Sequence, residues 1–358
     1  MDGTNRFRPL LHSWASAHQE RHVAKRNIIA IGGSAGSGAV LKRIVRDLPR
    51  DLEASIFISN HVPTHSPGYL AEALAGVSNL PISQAVDRQP IEPGRIYVAV
   101  PDRHLLLMGS TIRLGEGPRE NMVRPSIDPM FRSAALSYSA RAVGVVLTGM
   151  LNDGAAGLHA IKSVGGTAIV QHPIDAEANQ MPLSALEATD VDHVAAAGDL
   201  ARVIAEVAAT EAGSGAPATD ALALEVDIAA GRRLGSDNLR QIAEPSALTC
   251  PDCSGVLSEV HEQRPLRYRC QIGHAYTAEV LASHIDEVDE AVRIAMRVME
   301  ERVTLVERMA LDARQTGRLA VAELYEARAD EYRRYSATLR EAAVLSLRMG
   351  RAPREQEI

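Results

Sequence analysis

The sequence predicts an α/β chain: a three-layer, doubly wound, mostly parallel sheet, followed by a small cysteine-bearing segment and an α-helical hairpin. Three observations predict it. Short Val- and Ile-rich runs alternate with amphipathic stretches from Asn27 to about Ala209. All three cysteines fall between Cys250 and Cys270. From Leu281 onward, apolar residues recur at three- and four-residue spacings with charges between them.

In chain order, residues 1–26 form an N-terminal extension of mixed His, Arg and Glu without an apolar run, so no secretory signal is expected and the cytoplasm is the expected location. Residues 27–210 form the α/β domain. Its strand candidates are Asn27–Ile31, Ser55–Ser59, Arg95–Val100, Val143–Thr148 and Gly166–Gln171, several apolar throughout, as parallel strands covered on both faces are. Helical patterns lie between them, and Asp128 followed by Pro129 reads as an N-cap and first helical residue. Residues 211–245 read as a linker, from the small, polar, Pro- and Gly-containing run Glu211–Ala223. Residues 246–277 carry the cysteines. Residues 278–350 read as two helices broken near Gly317, each burying its apolar stripe against the other.

Bulk composition narrows the function. At 358 residues, 46% hydrophobic and 23% charged, the chain can bury a sizeable core. A net charge of -7 and 3% aromatic residues argue against a nucleic-acid partner. No apolar run reaches the roughly eighteen residues of a membrane span.

The informative turn is Gly32-Gly33-Ser34-Ala35-Gly36, between a strand and a helix. A dinucleotide cradle would need a third glycine where Leu41 stands, and a phosphate-binding loop would need a Lys-Ser or Lys-Thr pair that does not follow. The pattern does fit GxSxG, in which flanking glycines allow a sharp turn that exposes a serine above a sheet edge. Such a serine needs a base, and the base needs an orienting group. His61 follows the strand Ser55–Ser59, and Asp153 follows Val143–Thr148, so Ser34, His61 and Asp153 all sit just past strand C-termini. Sites of open α/β sheets form at that edge.

The segments IIAIGGSAGS, SNHVP, RPSIDPMFRSAA, VVLTGMLNDGAAGL and QHPIDAEANQMPLSALEA, in this order, resemble the catalytic domain of CheB protein-glutamate methylesterases of bacterial chemotaxis. The resemblance implies that Ser34, His61 and Asp153 form a catalytic triad. It also implies that the backbone N–H groups of Met150 and His61 serve as oxyanion donors. The implied reaction is hydrolysis of glutamate γ-methyl esters on methyl-accepting chemoreceptors or similar methylated signalling proteins, releasing methanol and needing no cofactor for catalysis. A receptor glutamine deamidase, or a signalling protein that keeps the fold without the chemistry, are the alternatives. Two positions depart from the family pattern: Ala35 lacks a hydroxyl, and Leu151 replaces a glycine, so a positive φ there would be strained. Residues 1–26 are too few for the family's phospho-receiver domain, so control is expected to be absent, to be supplied by another chain such as a receiver acting in trans, or to come from the C-terminal half.

Cys250-x2-Cys253 and Cys270-x3-His274 have the spacing of a zinc-ribbon-like Cys₃His site. The competing reading is three reduced structural cysteines beside a hydrogen-bonded histidine.

Overall fold

The computed structural model describes residues 24–61, 69–232, 235–261, 264–283 and 286–349. Most of the N-terminal extension, Val62 and Pro63 of the second motif, and Ile285 of the apolar stripe lie outside the described residues.

The first unit runs to Val280. Its elements begin with β1 (Ile28–Gly33), α1 (Ser37–Asp47), β2 (Ser55–Asn60), α2 (Leu70–Ala75), β3 (Ile82–Gln84) and β4 (Arg95–Val98). A hairpin follows, β5 (His104–Met108) and β6 (Thr111–Gly115), then α3 (Ile127–Tyr138), β7 (Ala142–Val146), α4 (Ala155–Ser163) and β8 (Thr167–Gln171). The α/β part closes with α5 (Gln180–Ala188), β9 (His193–Ala195) and α6 (Leu200–Ala209).

The seven-stranded sheet has the order β3-β4-β2-β1-β7-β8-β9, with parallel pairing throughout. Each central strand is buried on both faces, which explains its continuous apolar run. Ile29 and Ile31 of β1 point to one core with Leu41 and Ile44 of α1 and Ile204 of α6. Ile28 and Ala30 point to the other, with Phe131 of α3, Leu158 of α4 and Leu107 of the hairpin. The chain runs from β1 to β2 on one side, while β7 pairs with β1 on the other, so the topological switch lies between β1 and β7. The short strands β3 and β9, of three residues each, are too brief to leave a readable pattern.

The expected linker is corrected. Residues 212–219 have no regular secondary structure, but Asp220–Ala229 form a helix, α7. Thr219 caps it by accepting from the Leu222 N–H at 3.2 Å, and Leu222, Val226 and Ala229 form its buried stripe. After α8 (Gly235–Leu239), an antiparallel sheet of β10 (Ala243–Thr249), β11 (Val256–Val260), β12 (Arg267–Cys270) and β13 (Ala275–Thr277) carries the cysteines. This sheet starts inside the expected linker and belongs to the same compact unit as the α/β part. Asp128 is also corrected: Ser126 is the N-cap of α3, and Asp128 lies inside its first turn.

Buried charged residues help to join the two parts. Arg132 of α3, Glu120, Glu225 of α7 and Arg267 and Arg269 of β12 are all at most 2% exposed. Arg267 pairs with both oxygens of Glu225 at 2.8 and 3.0 Å. Arg269 bridges Glu120 and Glu225 at 3.1 Å each, and Arg132 also holds Glu120. Burial opposes the charges of both glutamates, but the three guanidinium groups hold their carboxyls below the usual range.

The second unit comprises α10 (Asp286–Gln315) and α11 (Leu319–Met349), preceded in sequence by α9 (Ala278–Ser283). Gly317, at φ +75, reverses the chain between α10 and α11. The antiparallel register is marked by Arg314–Glu326, Glu307–Arg333 and Glu300–Arg340. The expected stripe is corrected here: among the described residues, Ala310, Ala313, Ala322, Ala329 and Ser336 are buried, whereas Leu305 and Leu324 are at the surface. Small side chains let the helices approach closely and leave the leucines outside. Among the described residues, no helix is long and apolar enough to cross a membrane.

Glu225→Ala leaves Arg267 buried without its carboxylate and takes one of two carboxylates from Arg269, and should cost about 3–5 kcal/mol. Glu300→Ala, at an exposed pair, should cost less than about 1 kcal/mol. Urea unfolding of both variants checks the contrast.

Candidate active site

Three strand ends deliver three side chains to one point. Ser34 follows β1, His61 follows β2 and Asp153 follows β7. His61 Nδ1 lies 3.0 Å from Ser34 Oγ, and His61 Nε2 lies 2.6 Å from Asp153 Oδ2. The strand order decides which nitrogen faces which partner. Ser34 is one strand away from His61, about 4.8 Å, and Asp153 is two strands away, about 10 Å. The ring nitrogen nearer the backbone meets the serine, and the farther one spans to the aspartate. Because Asp153 only accepts, it fixes the proton on Nε2 and leaves the Nδ1 lone pair facing Ser34.

Asp153 is 2% exposed and would be costly to keep charged without donors. Its Oδ1 accepts from Ser126 Oγ at 2.7 Å, Asn121 Nδ2 at 3.1 Å and the Asp128 N–H at 3.3 Å. Its Oδ2 accepts from His61 and from the Ile127 N–H at 2.7 Å. The carboxylate therefore occupies the N-terminus of α3, where free N–H groups and the helix dipole favour an anion. Burial raises its pKa, but these bonds, that from His61 foremost, hold it well below the usual carboxylate range.

Asp128 lies beside it and behaves oppositely. Burial first, and the Asp153 charge second, push its carboxyl up to about 7. Its Oδ1 accepts from the N–H groups of Gly154 and Gly157 at 3.0 and 2.6 Å, which anchors the start of α4. The Asn121 amide stands between the two acids, donating at 3.1 Å to each.

The serine turn is held against the loop after β7. The Ser34 N–H donates to the Thr148 carbonyl at 3.0 Å, and Thr148 Oγ1 donates to the Ala35 carbonyl at 3.0 Å. Gly149 allows this approach: a Cβ there would lie 2.9 Å from Ser34 Cβ and 2.0 Å from Met181 Sδ. Gly36 takes φ +77 and opens α1. Leu151 sits at φ +61, the strained conformation anticipated for a non-glycine residue, with its N–H fixed by Gln180 Oε1 at 2.8 Å.

Of the two expected oxyanion donors, His61 is corrected. Its backbone N–H is spent on the Gly33 carbonyl at 3.3 Å, continuing the β1–β2 ladder. Met150 is 59% exposed, and its N–H, like that of Ala35, meets no acceptor among the described residues. Asn121, Ser126, Thr148 and Gln180 escaped sequence reasoning. Ser126 and Gln180 lie within the quoted motifs, but nothing in a linear pattern marks them as partners of Asp153 and Leu151.

The cysteine segment brings its four expected residues together, with the ligand atoms of Cys250, Cys253, Cys270 and His274 all within 4.8 Å of one another. Cys253 Sγ lies 3.7 Å from Cys270 Sγ, and His274 Nδ1 lies 3.7 and 3.5 Å from Cys250 and Cys270 Sγ. A tetrahedron with metal–sulfur bonds of about 2.3 Å has edges of about 3.7–3.8 Å. The donor set fits such an ion, and the sulfurs are too far apart for a disulfide.

The α/β part of the chain has known relatives. A protein of Leptospira interrogans, assigned as a protein-glutamate methylesterase/protein-glutamine glutaminase, is 42% identical over 167 residues, covering 46% of this chain and 86% of that protein. A protein-glutamate methylesterase/protein-glutamine glutaminase 2 of Anaeromyxobacter dehalogenans is 35% identical over 185 residues, covering 52% of this chain and 54% of its own length. The crystal structure of the Thermotoga maritima CheB methylesterase catalytic domain is 32% identical, covers 50% of this chain and 97% of that one, and has a TM-score of 0.49. Residues 29–204 match the CheB methylesterase family, and this chain belongs to it.

Proposed function

We propose that the protein hydrolyses glutamate γ-methyl esters on methylated chemoreceptors or similar signalling proteins, as a serine carboxylester hydrolase of the cytoplasm. The observation that carries this reading is the hydrogen-bonded chain Ser34–His61–Asp153. Ser34 Oγ attacks the ester carbonyl while His61 Nδ1 takes its proton. Asp153 stabilises the imidazolium through Nε2. His61 then returns the proton to the departing methoxy oxygen, leaving an acyl-serine and free methanol. Water attacks the acyl-serine with His61 again as base, releasing the glutamate carboxylate and restoring Ser34. The uncommitted N–H groups of Ala35 and Met150 are the candidates to receive the oxyanion, each worth about 3–4 kcal/mol if so used.

A second reading shares the site. Attack on a glutamine side chain would release ammonia in place of methanol, and relatives of this chain carry the glutaminase name beside the esterase one. For the Cys₃His cluster, a structural zinc is the ion proposed. Cys250, Cys253, Cys270 and His274 would hold it, and four protein donors fill a tetrahedral shell without an open position for substrate. A receiver protein acting in trans is retained as a proposed partner.

Methanol and ammonia release from methylated and glutamine-bearing receptor helices should both depend on Ser34, with Ser34→Ala inactive in each; release unaffected by the substitution would sink the triad assignment. Asp153→Asn should lower kcat by about 10³–10⁴-fold, because the amide no longer fixes the tautomer. For Asp128, the folded pKa of about 7 lies above the ordinary 3.8. The fold holds that proton longer than the unfolded chain does, so this group's contribution to stability declines as pH rises from about 4 to about 7. Asp128→Asn removes the titration. Its stability relative to the parent protein, read from urea midpoints, should therefore improve across that pH window.

A further inference from the structure

β13 lies between the cysteine cluster and the triad. At one end it follows His274 directly, and Tyr276 Oη in its middle sits 3.3 Å from Cys250 Sγ and donates to Asp252 at 2.6 Å. Its two end residues also hold Asn121. The Asn121 N–H donates to the Ala275 carbonyl at 2.7 Å, and Asn121 Oδ1 accepts from the Thr277 N–H at 3.1 Å. With its oxygen committed to Thr277, the amide must aim its NH₂ at Asp128 and Asp153. Thr277 Oγ1 also donates to Asn152 Oδ1 at 2.7 Å, one residue before Asp153.

The segment that β13 holds would not keep this shape alone. Asn121 and Met122 have φ +51 and +66, two successive side-chain-bearing residues in the left-handed region. Such strain persists only where surrounding contacts over-determine it. Here those contacts are Ala275 and Thr277, with Ala275 also donating to the Arg119 carbonyl at 3.3 Å. An ion held by Cys250, Cys253, Cys270 and His274 would add its binding energy to the folding of this small sheet.

We infer that metal binding at Cys250, Cys253, Cys270 and His274 sets the position of the triad carboxylate through β13, with Asn121 and Thr277 as positioning residues. The enzyme thereby reaches its full rate only when that site is filled. The inference rests on the hydrolase reading of Ser34. Losing the ion frees β13, releases the Asn121 amide and removes one donor from Asp153, which loosens the hold on His61.

The test uses the full chain under reducing conditions, as isolated, after chelation, and after reloading with Zn²⁺ or Co²⁺. Four readouts are taken: metal content, hydrogen exchange across residues 119–128, labelling of Ser34 by a fluorophosphonate, and kcat and KM for methanol release. Chelation should remove about one ion per chain and raise exchange across 119–128. Labelling and kcat should fall about ten- to a hundredfold with little change in KM, and reloading should restore them. In the metal-loaded chain, Thr277→Val should lower kcat in the same way, and Thr277→Ser should recover most of it. A metal-free chain with unchanged exchange and labelling overturns the inference, as does a chain that binds neither Zn²⁺ nor Co²⁺. Absent methanol release in every form, with exchange and labelling still following the metal, would reject the esterase reading and support the coupling.

Discussion

A carboxylate that water cannot reach stays ionised only if the protein surrounds it with donors, and Asp153 is such a group. Five donors converge on it, from His61, Ser126, Asn121 and the first two N–H groups of α3. Meeting that demand fixes much else. It places α3 with its N-terminus at the sheet edge and holds Asn121 in a left-handed conformation. It also makes Asp128 the acid that keeps its proton, since two adjacent buried charges would each raise the other's cost.

Orientation follows from the same point. The imidazole spans from β2 across β1 to β7, so its two nitrogens are assigned by strand spacing before any substrate arrives. Asp153 then selects the tautomer. The reacting geometry is preorganised by backbone topology, and Ser34 and Leu151 are held in their tight turns by Thr148, Gly149 and Gln180.

The cysteine-bearing sheet is part of this arrangement rather than an appendage. Three arginines and two glutamates, all buried, bind β12 to α3, α7 and Glu120. Buried ion pairs add little net stability over an apolar packing but tolerate few alternative arrangements, because any mispairing strands a charge. They fix the register in which β13 meets Asn121.

The sequence by itself determined the sheet strands with continuous apolar runs, the serine turn, the histidine and aspartate past their strand ends, and the metal-type spacing of Cys250, Cys253, Cys270 and His274. Each is a local signal, set by periodicity, by glycine's freedom in a turn, or by ligand spacing within one segment. Only the tertiary structure decided that the His61 N–H is used by the β1–β2 ladder, that the expected linker contains α7, and that Ala310, Ala313, Ala322 and Ala329 rather than Leu305 and Leu324 are buried in the helical hairpin. It alone showed that Asn121 joins Asp153 to Thr277, 156 residues away along the chain. Those outcomes depend on which groups compete for the same hydrogen bond or the same buried space, and that competition exists only once distant segments are in contact.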